Sequence, residues 1–297
     1  MNRLVLWLLE RRYRLVILAI AFAPAPFLSF LATALLTLET FYRGARQGLA
    51  SALAGTVGVA GLAWGWGADP RDFGLIGGAT LLTGVGLGAL MRWAGSLALA
   101  FQGAVLLSAS CVVVGLLLWP QPGPAITSFV SQGAELLREA GAAENQITAV
   151  VQGWELLFVG LITTGVFLQL MVSLLLGYWM ATLTREDVQF AQQFRDLRLG
   201  RVLGIPATLL MAVSLVLDAR AVQNLFPLAL FGFWFQGISV VHAWGWAKQW
   251  NPVIVAAMYI LLLPPFTALG ILGLASVGLV DNWIDLRAPL RASTSRE

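Results

Sequence analysis

The sequence predicts an all-α polytopic membrane protein, a bundle of about eight hydrophobic segments. Three observations carry that prediction. Hydrophobic residues make up 59% of the 297 residues and charged residues 11%, where a soluble domain carries about 25% charged residues. Several apolar runs reach about 18 residues, enough to cross a bilayer as a helix. The alternating short segments of an outer-membrane barrel are absent.

The main runs lie at about 15–38, 45–66, 73–91, 94–119, 153–183, 202–217, 225–247 and 252–280. Arg11, Arg12 and Arg14 precede LVILAIAFA, which ends in small residues and imitates a secretory signal. Pro24 follows at once, and the segment is expected to be retained. FAPAPF (22–27) breaks the first run, and LLLPPF (261–266) breaks the last. Proline removes a backbone donor and clashes with the preceding turn, so each site predicts a kink or a reversal.

Charge separates those two outcomes. If all eight runs simply cross, the eighteen basic residues divide almost evenly between the two sides. If both broken runs double back, only Arg71, Arg138 and Arg220 stay outside. The second arrangement satisfies the positive-inside rule far better and puts both termini in the cytoplasm. Its half-runs are too short for ordinary crossings and must be re-entrant, shielded by protein. Single kinked spans are the alternative. The location expected on this basis is the bacterial inner membrane.

A single membrane-embedded helical domain is expected over 1–288, with a disordered tail at 289–297. Residues 120–152 form a non-cytoplasmic loop. It opens with the breaker-rich PQPGP, and Ile126, Phe129, Val130, Leu136 and Leu137 then fall at helical spacing. They predict a short amphipathic helix on the membrane or over the bundle. Residues 184–201 form a cytoplasmic amphipathic loop in which Phe190, Phe194 and Leu197 share a face. Phe190, Phe194, Arg195 and Arg198 are therefore candidates for docking a partner. Asp281 and Arg287, in GLVDNWIDLR, join them.

Segments 45–66 and 73–91 are rich in small residues, with Gly74/Gly78 and Gly84/Gly88 as G-x-x-x-G pairs. In lipid such residues admit close backbone approach, and these helices are expected at the tight centre of the bundle. GVGLGAL is not a phosphate loop, because neither the strand context nor a lysine accompanies it.

The sequence shows no catalytic constellation. The acidic residues sit at segment ends or in loops, with Glu39, Glu155 and Asp218 marking boundaries. A buried carboxylate, the usual sign of a proton relay, is not evident. One histidine and one cysteine cannot build a structural zinc site. No metal, cofactor or nucleic acid is expected. Cys111, in an apolar run, reads as a buried small hydrophobe.

Polar groups inside the apolar runs are the candidates for a ligand cavity: Gln102, Gln169, Ser173, Gln236, Ser239 and His242. Gln169 and Ser173 lie four apart on one helical face. Each could equally bridge helices. In FGFWFQGISVVHAWGWAKQW (231–250), helical phase puts Phe235, Ser239, His242, Trp246 and Gln249 on one face and Gln236 on another. Trp244, Trp246, Lys248 and Trp250 predict an interfacial aromatic belt.

FRDLRLG (194–200), FQGISVVHAW (235–244) and GLVDNWIDLR (278–287) resemble the YybS-like family of bacterial membrane proteins, a domain of unknown function. The likeness covers roughly 10–288. At a distance it is similar to the substrate-binding membrane components of energy-coupling-factor transporters. The resemblance implies capture of a small molecule and docking on a coupling subunit, through small-residue faces such as Ala19 and Ala23. No ATP-binding motif is present. The expected function is small-molecule binding or transport in the lipid bilayer. The alternative is a scaffold or assembly protein that docks a membrane or cytoplasmic partner, or a second copy of itself, through 184–201 or 120–152.

Overall fold

A computed structural model describes residues 2–25, 27–118, 124–185 and 187–290. Its elements are helices, in chain order α1 (Asn2–Glu10), α2 (Arg12–Phe22), α3 (Ser29–Arg43), α4 (Ala45–Gly65), α5 (Pro70–Ala94), α6 (Leu97–Leu118) and α7 (Pro124–Glu139). There follow α8 (Glu144–Thr182), α9 (Phe190–Arg195), α10 (Gly200–Val213), α11 (Arg220–Ala247), α12 (Pro252–Ile260) and α13 (Thr267–Ile284). The described residues contain no strand. Six helices, α4, α5, α6, α8, α11 and α13, are long and apolar enough to cross a membrane. The chain is an all-α, multi-pass membrane protein.

Where one domain is expected over 1–288, contacts gather into two compact units. The first holds Met1–Ala104 with Leu168–Asp196, and the second Val105–Phe167 with Leu197–Glu297. Helices α6 and α8 each contribute one part to each unit. Residues 119–123, which include all of PQPGP (120–124) but its last proline, lie outside the described residues, as does the expected disordered tail beyond residue 290.

In the first unit the broken first run doubles back. Helices α2 and α3 have 11 and 15 residues, about 16 and 22 Å at 1.5 Å per residue. Neither alone covers a hydrocarbon core of about 30 Å. The start of α2 lies beside the end of α3: Arg12 reaches Glu39 at 3.6 Å, and Arg43 donates to the carbonyl of Leu9. Helix α4 then leaves from Gly44, whose φ of 98° only glycine adopts without strain. Helix α5 opens on Pro70 after Asp69, whose side chain caps the Arg71 amide at 2.8 Å.

The predicted small-residue packing is present and specific. A Cβ on Gly84 would come within 2.5 Å of the Thr33 carbonyl oxygen, and one on Gly88 within 2.5 Å of that of Thr37. Backbone therefore touches backbone between α5 and α3. Threonine hydroxyls close the same seam: Thr37 donates to the carbonyls of Thr33 (2.9 Å) and Gly84 (3.2 Å). Gly74 and Gly78 face α4 instead, opposite Ala60 and Thr56.

In the second unit the last run also doubles back. Helix α12 has nine residues, about 14 Å, and Asn251 caps it through the Val253 amide at 3.0 Å. It runs back along α11: Gly245 lies next to Val255, and His242 next to Tyr259. After a turn holding the cis Pro264–Pro265 bond, α13 returns parallel to α11. A Cβ on Gly237 would overlap the Leu274 carbonyl, and one on Gly278 that of Phe233.

Candidate functional site

Three places in the chain carry polar chemistry or open volume. The first is a buried network in the second unit. Asp281 on α13 is 2% exposed and Arg287 just beyond it 3%. Arg287 holds Asp281 with two parallel hydrogen bonds, Nε to Oδ1 at 3.2 Å and Nη2 to Oδ2 at 2.6 Å. This is the fork geometry that makes arginine–carboxylate pairs strong. Gln236 on α11 donates to Asp281 Oδ2 at 2.7 Å and accepts from the Leu199 amide at 2.9 Å. Arg287 Nη1 donates to the Leu197 carbonyl and to Ser239 Oγ, both at 3.1 Å. Trp244 donates to the Leu286 carbonyl at 3.2 Å, and Arg198 pairs with Asp285 at 3.4 Å.

The three motifs FRDLRLG, FQGISVVHAW and GLVDNWIDLR thus meet at one point. Every heteroatom of the Asp281, Arg287 and Gln236 side chains described above has a partner. A buried pair with satisfied hydrogen bonds fixes position and leaves no site for a ligand. The network latches 197–199 onto the α11–α13 pair.

The second place is Glu39, in the first unit. It is 0% exposed. Its Oε1 accepts from Ser51 of α4 at 3.0 Å and lies 3.6 Å from Arg12 and 3.7 Å from Arg43. Those arginine distances exceed the usual 2.7–3.2 Å hydrogen-bond range. Its Oε2 has no hydrogen-bond partner, and neither has the buried hydroxyl of the adjacent Thr40. Arg12 and Arg43 keep 47% and 20% of their side-chain surface exposed. Arg92 caps the same end of α3 through the Phe41 carbonyl at 2.9 Å.

The third place is an apolar groove of about 450 Å³ in the second unit, between α7 and the start of α8. Val130, Gly133, Leu137, Val150 and Trp154 are among its walls. Val130 and Ile147 are buried, whereas Leu136, Val150 and Trp154 are 67%, 41% and 41% exposed. Arg138 closes the hairpin, reaching Glu135 at 2.5 Å and Glu144 at 2.9 Å. The predicted amphipathic helix at 126–140 is α7. A smaller apolar groove of about 240 Å³ lies among α6, α10 and α11.

The structure scatters the residues expected to share a polar cavity. Gln236 and Ser239 belong to the Arg287 network, although helical phase assigns them to different faces; three residues apart, both side chains reach the same ion pair. Ser173 is buried and donates to the carbonyls of Gln169 (2.8 Å) and Phe30 (3.0 Å) in the first unit, a helix-bridging role. Gln102 and Gln169 are half-buried there as well. His242 is half-buried in the second unit, with a ring nitrogen 2.8 Å from the Tyr259 hydroxyl. Ser173, Gln236, Ser239 and His242 therefore act as bridges between segments, at more than one place.

Two of the docking candidates are buried. Asp281 and Arg287 lie in the interior because each satisfies the other. Phe190 and Phe194 stack with centroids 5.9 Å apart, and Phe190 meets Tyr178 at 5.9 Å. Gln193 between them accepts from the Leu97 amide at 2.7 Å and so pins α9 to the start of α6. Arg195 is half-buried, as is Arg198, which pairs with Asp285. Arg185 grips Asp187 at 3.0 and 2.5 Å and holds its carboxyl below the usual range. Cys111 is exposed on α6 rather than buried, because an apolar run in lipid is apolar on its outer face too. Among the described residues no His, Cys, Asp or Glu cluster could hold a metal ion.

Glu39 is the group that sequence reasoning passes over. It stands directly after an apolar run and reads as a boundary. Ser51 twelve positions later, on the facing small-residue helix, is the one signal that its carboxyl has a partner inside.

The chain matches no family model, no curated protein and no solved structure.

Proposed function

We propose that this protein is a small-molecule binding component of the bacterial inner membrane, and that its ligand is an amphiphile with an apolar chain. The observation that carries the reading is the α7–α8 groove. Its volume lies within the about 300–1,000 Å³ of ordinary ligand pockets, and its walls are carbon. Helix α8 has 39 residues, about 58 Å, so it outruns a hydrocarbon core of about 30 Å by many turns. An apolar groove at such an overhang suits a chain drawn partly out of the bilayer, with its head beside Arg138, Glu135 and Glu144. The doubled-back runs support the accompanying topology. With both runs doubled back, the positive-inside rule favours an orientation that keeps only Arg71, Arg138 and Arg220 away from the cytoplasm, and the groove on the outer side with Arg138.

Transport, if coupled to this binding, needs energy from a partner or an ion, since no nucleotide motif is present. The resemblance to the YybS-like family and, distantly, to substrate-binding transport components points the same way. The test is purification from native membranes in mild detergent, with bound small molecules extracted and identified by mass spectrometry. Gly133→Trp fills the groove at a position with open space around its Cβ. The wild type is expected to carry an amphiphile that the variant loses. Identical extracts from both would contradict the reading.

A further inference from the structure

We propose that Glu39 is a proton-binding site that takes and releases one proton on Oε2 while Ser51 holds Oε1. An ionisable side chain inside a membrane protein is costly and by default marks function, with its partners named. Three features of its surroundings set Glu39 apart from a structural ion pair. All three of its polar neighbours, Ser51, Arg12 and Arg43, approach the same oxygen. The other oxygen is buried without a hydrogen bond. Both arginines stand beyond hydrogen-bond distance, and each donates to a backbone carbonyl instead, Arg12 to that of Gln47 at 3.2 Å and Arg43 to that of Leu9.

These features balance the two protonation states. The two guanidinium charges favour the carboxylate, whereas burial and the orphaned Oε2 favour the neutral acid. An oxygen left dry costs more as part of an anion than as a hydroxyl. The step needs no co-reactant: a hydronium ion delivers its proton to Oε2, one O–H bond forms, and water leaves. Arg12, about half exposed, marks the side from which the proton arrives.

The other charged groups on the packed helices do not compete. Arg14 on α2 is engaged by Glu10 at 2.9 Å. Arg46 on α4 is exposed. Arg92 on α5 serves the carbonyls of Phe41 and Tyr42. Arg71 and Asp72 stand at the opposite end of α5 from Gly88, which packs on Thr40. The inference is independent of the amphiphile reading, because groove and carboxyl lie in different units.

Infrared difference spectroscopy of the full-length protein, titrated between about pH 9 and pH 5, tests it. Exposed carboxyls remain ionised over most of that range, having pKa values near about 4. The wild type is expected to gain one protonated-carboxyl band that Glu39→Gln lacks and Asp281→Asn keeps. Arg12→Gln, a change at a half-exposed side chain, should move the midpoint of that band to higher pH, because the anion loses a neighbouring cation. Ser51→Ala should shift its frequency, because Oε1 loses its donor. A structural role would leave no titrating band to move. The proposal is overturned if the wild type shows no such band, if Glu39→Gln retains it, or if Arg12→Gln and Ser51→Ala leave it unchanged.

Discussion

Among the described residues, each unit of this protein buries one carboxylate on the helix that returns from a proline-broken run, and the two are treated differently. Asp281 is gripped by Nε and Nη2 of Arg287 and by Gln236, while Nη1 of the same arginine is held by Ser239 and the Leu197 carbonyl. Glu39 has one short hydrogen bond, two distant arginines and one bare oxygen. A fully satisfied buried pair adds little net stability, but removing one partner costs much, because it strands a charge. A partly satisfied one remains free to change protonation state. The lesson is that burial alone does not mark a functional carboxylate; the accounting of its two oxygens does.

The largest effect expected from this contrast is at Arg287. Arg287→Ala strands Asp281 in the interior and should cost about 3–5 kcal/mol, read as a large loss of thermal stability and yield in detergent. Replacing both members at once, with Asp281→Leu and Arg287→Leu, should cost clearly less than the single change, since no charge is then stranded. A double variant as unstable as the single one would break the view of the network as a closed ion pair.

Next in size is the packing beneath each carboxylate. Gly278→Val would drive side-chain atoms into the Phe233 carbonyl, and Gly88→Val into that of Thr37. Overpacking of this kind costs about 1–3 kcal/mol, occasionally more, and thermal unfolding should report both. The smallest expected effect is at the short α12. Tyr259→Phe removes the hydrogen bond to His242 and should cost about 0.5–1.5 kcal/mol. Wild-type stability in that variant would show that α12 is held by packing alone.

Much of this architecture is legible in the chain. Composition and run length specify the helical membrane class, and FAPAPF and LLLPPF mark the two reversals because proline cannot continue a helix through them. The charge distribution favours the doubled-back form before any coordinates. Gly84 and Gly88 announce a close helix contact, and Gly84 and Gly88 make it, against α3. The tryptophans at 244–250 and Trp283 flank the α11–α13 pair, with Trp246 and Trp283 each 55% exposed.

The sites are far less legible. A polar residue in an apolar run has two uses, cavity wall or helix bridge, and periodicity cannot choose between them. Ser173 and Gln236 are bridges, and their partners lie 143 and 45 positions away. Asp281 and Arg287 look like surface charge because their burial depends on a contact with α11 that no local pattern encodes. Cys111 shows the reverse error: apolar neighbours signal burial in water but not in lipid. Glu39 sits one residue past an apolar run, and only the folding-back of α2 onto α3 encloses it.

The contrast between the two carboxylates is tested most directly by comparing Asp281→Asn and Glu39→Gln in parallel thermal unfolding at neutral pH. The account predicts that Asp281→Asn loses about 3–5 kcal/mol, because Arg287 is left buried without its counter-charge. Glu39→Gln should lose about 1 kcal/mol or less, because its amide oxygen still accepts from Ser51 and both arginines keep access to water. Equal losses in the two variants would contradict it.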